Sequence, residues 1–151
     1  MGYAYFPGCT LRGKARGFEK SALASTRVLD IHLEELPEWQ CCGATFPLQA
    51  DNSFPLVSPA RALASASKMG GRLVTLCSAC YNVLKRTNHV MRTDADRRDK
   101  VNSFIEADYE GEVEVRHFLE VLRDDVGFET LARRATGSLA DLAAAPYYGC
   151  L

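Results

Sequence analysis

The sequence predicts an α/β domain with a mainly parallel sheet of about four short strands flanked by helices. Three observations carry this expectation. Apolar segments of strand length alternate along the chain with amphipathic segments of helix length. Leu73-Val74-Thr75-Leu76 is a nearly continuous apolar run, as in a central parallel strand covered on both faces. The chain has 151 residues, 47% of them hydrophobic, enough for one domain with a real core and too few for two large ones.

Tyr3 to Phe6 is an aromatic strand, and the turn Pro7-Gly8 places Cys9 in the loop just past its end. Ala15 to Asp30 reads as a helix with Phe18, Ala22, Ser25 and Leu29 along one face and Val28 beside them. Leu33 to Leu36 is a second short strand closed by Pro37, and Cys41-Cys42-Gly43 follows it, Gly43 letting the backbone pass close to whatever the cysteines hold. Residues 44 to 57 lack periodicity and read as an ordered loop anchored by Phe46 and Phe54. Ser58-Pro59 predicts a helix start with Ser as N-cap, and Gly70-Gly71 its stop.

The strand at 73–76 delivers Cys77 at its C-terminal end, and Ser78 is expected to cap the next helix. Cys77 and Cys80 then sit at a helix N-terminus, where N–H groups and the dipole stabilise thiolates. That helix continues through Val83, Leu84, Val90 and Met91; another begins near Asp94 with Val101, Phe104 and Ile105 on one face. Val113 and Val115 mark a fourth strand, Phe118 to Val126 a helix stopped by Gly127, and Phe128 to Ala135 a last short helix. Gly137 to Pro146 reads as a connector. Tyr147-Tyr148-Gly149-Cys150-Leu151 then restates Tyr5-Phe6-Pro7-Gly8-Cys9-Thr10-Leu11 with two residues deleted. The expected division is a cysteine-rich domain over 1–136, then a connector and the first strand and cysteine of a second repeat over 137–151.

Net charge is -1 with acids and bases interspersed, which favours neither nucleic acid nor an anionic membrane as partner. No apolar run is long enough to span a bilayer, and the first residues, MGYAYFPGC, lack the regions of a signal peptide. A cytoplasmic setting follows, in which six cysteines point to metal or redox chemistry before a disulfide scaffold.

Cys9, Cys41, Cys42, Cys77 and Cys80 all lie beyond strand ends, where ligands of parallel sheets gather. Five sulfurs exceed the four donors of tetrahedral zinc. An iron-sulfur cluster uses them naturally if one thiolate bridges two irons. A structural zinc site leaves one thiol spare, a thioredoxin-like C-x-x-C leaves the Cys41-Cys42 pair idle, and burial as small hydrophobes remains the bland use.

Taken together, Tyr3-Ala4-Tyr5-Phe6-Pro7-Gly8-Cys9, Glu38-Trp39-Gln40-Cys41-Cys42-Gly43-Ala44, Cys77-Ser78-Ala79-Cys80-Tyr81-Asn82 with Lys85-Arg86, Val115-Arg116-His117 and the closing Tyr147-Tyr148-Gly149-Cys150-Leu151 resemble the B-type subunit of heterodisulfide reductase. The resemblance covers essentially the whole chain. It corresponds to the N-terminal of two Rossmann-like CCG (cysteine-rich) domains plus the first cysteine of the second. It implies a noncubane [4Fe-4S] cluster held by Cys9, Cys41, Cys42, Cys77 and Cys80, with Cys150 belonging to a second cluster. It also implies a disulfide substrate cleaved between the two clusters by successive one-electron transfers, and partners in an electron-delivering iron-sulfur subunit and a flavin subunit. One domain alone is expected to lack turnover, and cluster loss or zinc replacement is expected for a single domain handled in air. Similar domains occur in relatives associated with lactate, glycolate, glycerol 3-phosphate and succinate oxidation.

Around these cysteines, Trp39 and Tyr81 are placed to shield a cluster from water, Gly43 to give it room, and His117 to handle substrate or protons. A core role for the aromatics and an ordinary structural role for the histidine are the alternatives. His32 and His89 read as surface or capping residues, Lys85 and Arg86 as a solvated face or a charge offset, and Met69 and Met91 as packing.

Overall fold

The computed structural model describes residues 1–44, 53–137 and 141–146. Its strands are β1 (Gly2–Phe6), β2 (His32–Glu35), β3 (Arg72–Thr75) and β4 (Glu114–His117). They form one all-parallel sheet in the order β2-β1-β3-β4. The alternating pattern of β1 explains its place at the centre. Tyr3 and Tyr5 point to one face and Ala4 and Phe6 to the other, and all four are buried. β3 is likewise buried through Leu73, Val74 and Thr75, as its apolar run predicts. The edge strand β2 is mostly exposed.

Helices cover both faces, so the sheet is doubly wound. On one side lies α2 (Arg16–Val28), preceded by the single turn α1 (Cys9–Arg12). The same side holds α6 (Phe118–Glu120), which runs on as a π-helical turn over Val121–Val126, and then α7 (Phe128–Arg134). This side packs Tyr3, Tyr5, Leu11, Ala22, Val74, Leu76, Phe118 and Val121. The opposite side holds α3 (Val57–Lys68), α4 (Ser78–Thr93) and α5 (Ala95–Ile105), packed around Phe6, Leu63, Leu73, Val83, Leu84, Met91, Val101 and Tyr109. Because β1 and β3 send their chains to opposite faces, the switch point at which such sheets place ligands lies between their C-terminal ends.

Several local expectations are corrected. The buried face of α2 is Glu19, Ala22 and Thr26, whereas Phe18 and Val28 are more than half exposed. The face is rotated because Glu19 is drawn inward by the Tyr5 hydroxyl and by Arg12. Phe54 opens a 3-10 turn, Phe54–Leu56, and is exposed rather than an anchor; its ring meets the exposed Phe104 edge-on, which takes Phe104 off the buried face of α5. The helix expected to start at Ser58 begins one residue earlier, directly from that turn, and Ser58 donates its hydroxyl to the Cys41 carbonyl at 2.9 Å instead of capping. Cys77 itself, not Ser78, is the N-cap of α4. Asp94 caps α5 as its sequence position predicts, through the Arg97 N–H. Phe46, Tyr147, Tyr148, Cys150 and Leu151 lie outside the described residues.

Candidate metal centre

Each cysteine is delivered by a strand end. Gly8 carries the chain out of β1 with φ of 75°, and Cys9 opens α1. Cys41 and Cys42 follow β2 in a stretch without regular structure. Cys77 lies two residues past β3, and Cys80 is in the first turn of α4.

The adjacent pair is what joins the clusters of cysteines. Cys41 Sγ lies 3.7 Å from Cys9 Sγ, and Cys42 Sγ lies 3.4 Å from Cys80 Sγ. Neighbouring residues of an extended chain send their side chains opposite ways, so two consecutive thiols reach two different partners. Cys80 also hydrogen-bonds Cys77, so the sulfurs fall into a pair, Cys9 with Cys41, and a trio, Cys42, Cys80 and Cys77, joined by the backbone between Cys41 and Cys42. The Cys9 and Cys41 side is exposed and the Cys42 and Cys80 side buried, with Cys77 between these extremes.

The thiols are electrostatically unequal. Cys77 is lowered to about 5, chiefly by the hydrogen bond from Cys80, with burial opposing and the Cys80 and Ala79 backbone N–H groups and His117 assisting. Cys42 is lowered to about 7, again chiefly by Cys80. Cys80 is raised by its contacts with Cys42 and Cys77 and by burial. Cys41 has a lowering backbone N–H of Gly43, outweighed by burial and by Cys9, so it is raised. Thiolate character is therefore favoured on Cys42 and Cys77 over Cys80, as the helix N-terminus leads one to expect.

Gly8 is legible in the sequence only as part of a turn, yet it shapes the site. A Cβ there would come 2.9 Å from Cys80 Sγ. The backbone of the first cysteine loop thus lies directly against a sulfur of the third. The donor set, five soft sulfurs with Cys9 against Cys41 and Cys42 against Cys80, suits a thiolate-bound metal group. Among the described residues no three of His, Cys, Asp and Glu converge tightly enough to hold a metal ion.

The residues expected around the cysteines have clear tasks. Trp39 is partly buried, edge-on to Phe6 with centroids 5.7 Å apart, and donates its indole N–H to Glu35 at 2.9 Å. Tyr81 meets His117 edge-on, donates to Glu120 at 3.0 Å and accepts from Lys85 at 2.6 Å. Gly43 has φ of 83°. His117 caps α6: its Nδ1 accepts from the Leu119 N–H, and Nε2 faces the Leu76 carbonyl at 3.1 Å. Both ring nitrogens are engaged, so the capping role is the one this geometry serves. His32, His89 and Arg86 are exposed, and Met91 is core.

Sequence reasoning missed Arg12, Glu35 and Ser58. Arg12 contacts Glu35 and lies 3.5 Å from Glu19, linking the Cys9 turn to the end of β2. These are pairs between distant positions, and the sequence holds no local signal for them beyond the opposite charges.

The cysteine-rich domain family model named CCG matches residues 3–85. The 8-methylmenaquinol:fumarate reductase membrane anchor subunit of Wolinella succinogenes is 37% identical over 151 residues, covering 98% of this chain and 52% of that protein. The B-type subunit of the ferredoxin/F(420)H(2)-dependent CoB-CoM heterodisulfide reductase of Methanosarcina acetivorans is 30% identical over 149 residues, covering 96% and 49%. A protein of Archaeoglobus profundus that is itself described as like the B-type subunit of heterodisulfide reductase is 31% identical, covering 98% and 51%. The chain spans about half the length of the curated relatives it matches. No helix among the described residues is long and apolar enough to cross a membrane. With the matched segment running from β1 through the first half of α4 and holding all five convergent cysteines, the chain belongs to the CCG cysteine-rich domain family.

Proposed function

We propose that this chain is the N-terminal, cluster-binding half of a protein like the B-type subunit of heterodisulfide reductase. Residues 1–136 form the binding unit, and 137–151 connect it to a second, similar half. Cys9, Cys41, Cys42, Cys77 and Cys80 hold a noncubane [4Fe-4S] cluster, and Cys150 belongs to the companion site. When bound, such a cluster supplies single electrons, here for cleaving a disulfide held between the two halves. The supporting observation is the pairing of Cys9 with Cys41 and of Cys42 with Cys80 across three strand ends.

The chain's own groups prepare the site. Low-pKa Cys42 and Cys77 offer thiolates without strong base, Gly8 lets the first cysteine loop lie close against Cys80, and the Ser58 hydroxyl holds the Cys41 carbonyl. Relatives that are themselves subunits support partner chains, which this reading takes to be an electron-delivering iron-sulfur subunit and a flavin subunit. Five free thiols suit the reducing cytoplasm, where this reading places the protein.

Anaerobic reconstitution with iron and sulfide tests the reading. About four irons and four sulfides per chain are expected, lost in Cys41→Ser and Cys42→Ser and kept in Cys150→Ser. A colourless chain without sulfide that holds one zinc tightly would instead establish a structural zinc module.

A further inference from the structure

We propose that Arg12 is a positioning residue that fastens the Cys9 turn to the Cys41-Cys42 segment, so that the Cys9 and Cys41 sulfurs meet. This inference rests on reading the five cysteines as one ligand set and extends that reading to how the set is assembled.

The two sulfur pairs are held very differently. Cys42 and Cys80 are buried in the core, whose packing fixes them. Cys9 and Cys41 are exposed, yet their sulfurs lie 3.7 Å apart. Cys9 opens a helix of four residues, too short to persist by its own hydrogen bonds, and Cys41 has no regular structure around it.

A polar clasp supplies what packing does not. Arg12, the last residue of α1, reaches Glu35 at the end of β2 and approaches Glu19 of α2 at 3.5 Å. Glu35 accepts the Trp39 indole N–H through its other oxygen, at 2.9 Å, and Trp39 stands two residues before Cys41. Trp39 is in turn seated against Phe6 of β1. One carboxylate thus receives the cation of the first cysteine loop and the indole of the second. Glu19 is buried and its other oxygen accepts from Tyr5, so the guanidinium is also pinned to the core. A planar fork addressing two carboxylates is a task for arginine, and lysine's single ammonium does it less well. Arg16 Nε donates to the Arg12 carbonyl at 2.7 Å, which holds the backbone of that turn in place.

The metal-free full chain in a glutathione redox buffer reads this directly. Cys9 and Cys41 together lose two protons and two electrons as their Sγ–Sγ bond forms, and one glutathione disulfide is reduced to two glutathione thiols. The Cys42–Cys80 bond forms by the same exchange and serves as the internal reference. Differential alkylation and mass spectrometry of linked peptides give both equilibrium constants. Arg12→Gln and Glu35→Gln are each expected to lower the Cys9–Cys41 constant about tenfold, through the lost effective concentration of one thiol at the other. The Cys42–Cys80 constant should stay within about twofold, and Arg12→Lys should recover part of the loss.

An equal fall in both constants, or an unchanged Cys9–Cys41 constant in Glu35→Gln, overturns the proposal. Glu35 is exposed, so its variant keeps the test decisive if Arg12→Gln unfolds through the stranded Glu19. No cluster takes part, so the clasp and the cluster reading fail separately. Failed reconstitution with a selective loss here refutes only the cluster, and the reverse result refutes only the clasp.

Discussion

At the scale of single residues the site depends on a missing side chain and on one hydrogen bond. Gly8 combines φ of 75° with a Cβ position 2.9 Å from Cys80 Sγ. Gly8→Ala adds left-handed strain of about 1–2 kcal/mol to overpacking of about 1–3 kcal/mol. Urea denaturation should therefore show a loss of about 2–5 kcal/mol. Gly127→Ala, also at positive φ but with nothing near the added methyl, should lose only about 1 kcal/mol. Equal losses would show that the Cys80 contact costs nothing. The hydrogen bond from Cys80 gives a second prediction. Cys77 is depressed to about 5, so in the metal-free chain it should be alkylated by iodoacetamide well below the ordinary thiol range, and a Cys80→Ala variant should move its profile upward. The sign for stability follows: a depressed thiol pKa stabilises the fold fully above the ordinary thiol value, and the contribution disappears as pH falls through about 5.

At the scale of elements, the sheet is tied to its helices by buried polar groups. Asn88 of α4 donates to the Val113 carbonyl at 2.8 Å just before β4, and its oxygen accepts from the Tyr109 hydroxyl. Asn88→Ala leaves both partners buried without it and should cost about 2–3 kcal/mol in denaturant unfolding. A cost below about 0.5 kcal/mol would mean that the segment before β4 is held otherwise. The strands themselves were legible in the sequence because each is a short apolar or alternating run, and Leu73 to Thr75 is buried on both faces as that pattern requires. That Cys9, Cys41, Cys42 and Cys77 follow strands, with Cys80 in the helix after one, was legible in the same way. What escaped was set by contacts between distant positions. Glu19 faces inward because Tyr5 and Arg12 receive it, which rotates α2 away from the face that Phe18 and Val28 suggested. Ser58 was readable as a cap, but the Cys41 carbonyl competes for its hydroxyl. His117 was readable as a site residue, but not its cap, which exists because β4 runs straight into α6.

At the scale of the molecule, the sheet divides the core into two layers, and each contains tyrosines whose ionisation the fold opposes. Tyr3 and Tyr5 belong to the layer under α2 and the π-helical turn, and Tyr109 to the layer under α3, α4 and α5. Tyr3 is raised to about 12, first by burial and then by its hydrogen bond to Asp125, which at 2.6 Å also ties β1 to the π-helical turn. Burial likewise raises Tyr5, with Glu19 adding to it, and Tyr109. A folded pKa above the unfolded value of about 10 gives a contribution that is complete below that value and is lost as pH rises through the folded one. Stability should therefore fall from about pH 10 upward. If the two layers share one sheet as one cooperative unit, neither can release its tyrosines alone. The near-ultraviolet phenolate signal of Tyr3, Tyr5 and Tyr109, assigned by Tyr→Phe variants, should then rise together with the loss of far-ultraviolet circular dichroism. Phenolate from Tyr3 and Tyr5 appearing before that loss, with Tyr109 still protonated, would show that the α2 side opens independently and that the cysteine site lies between two units of separate stability.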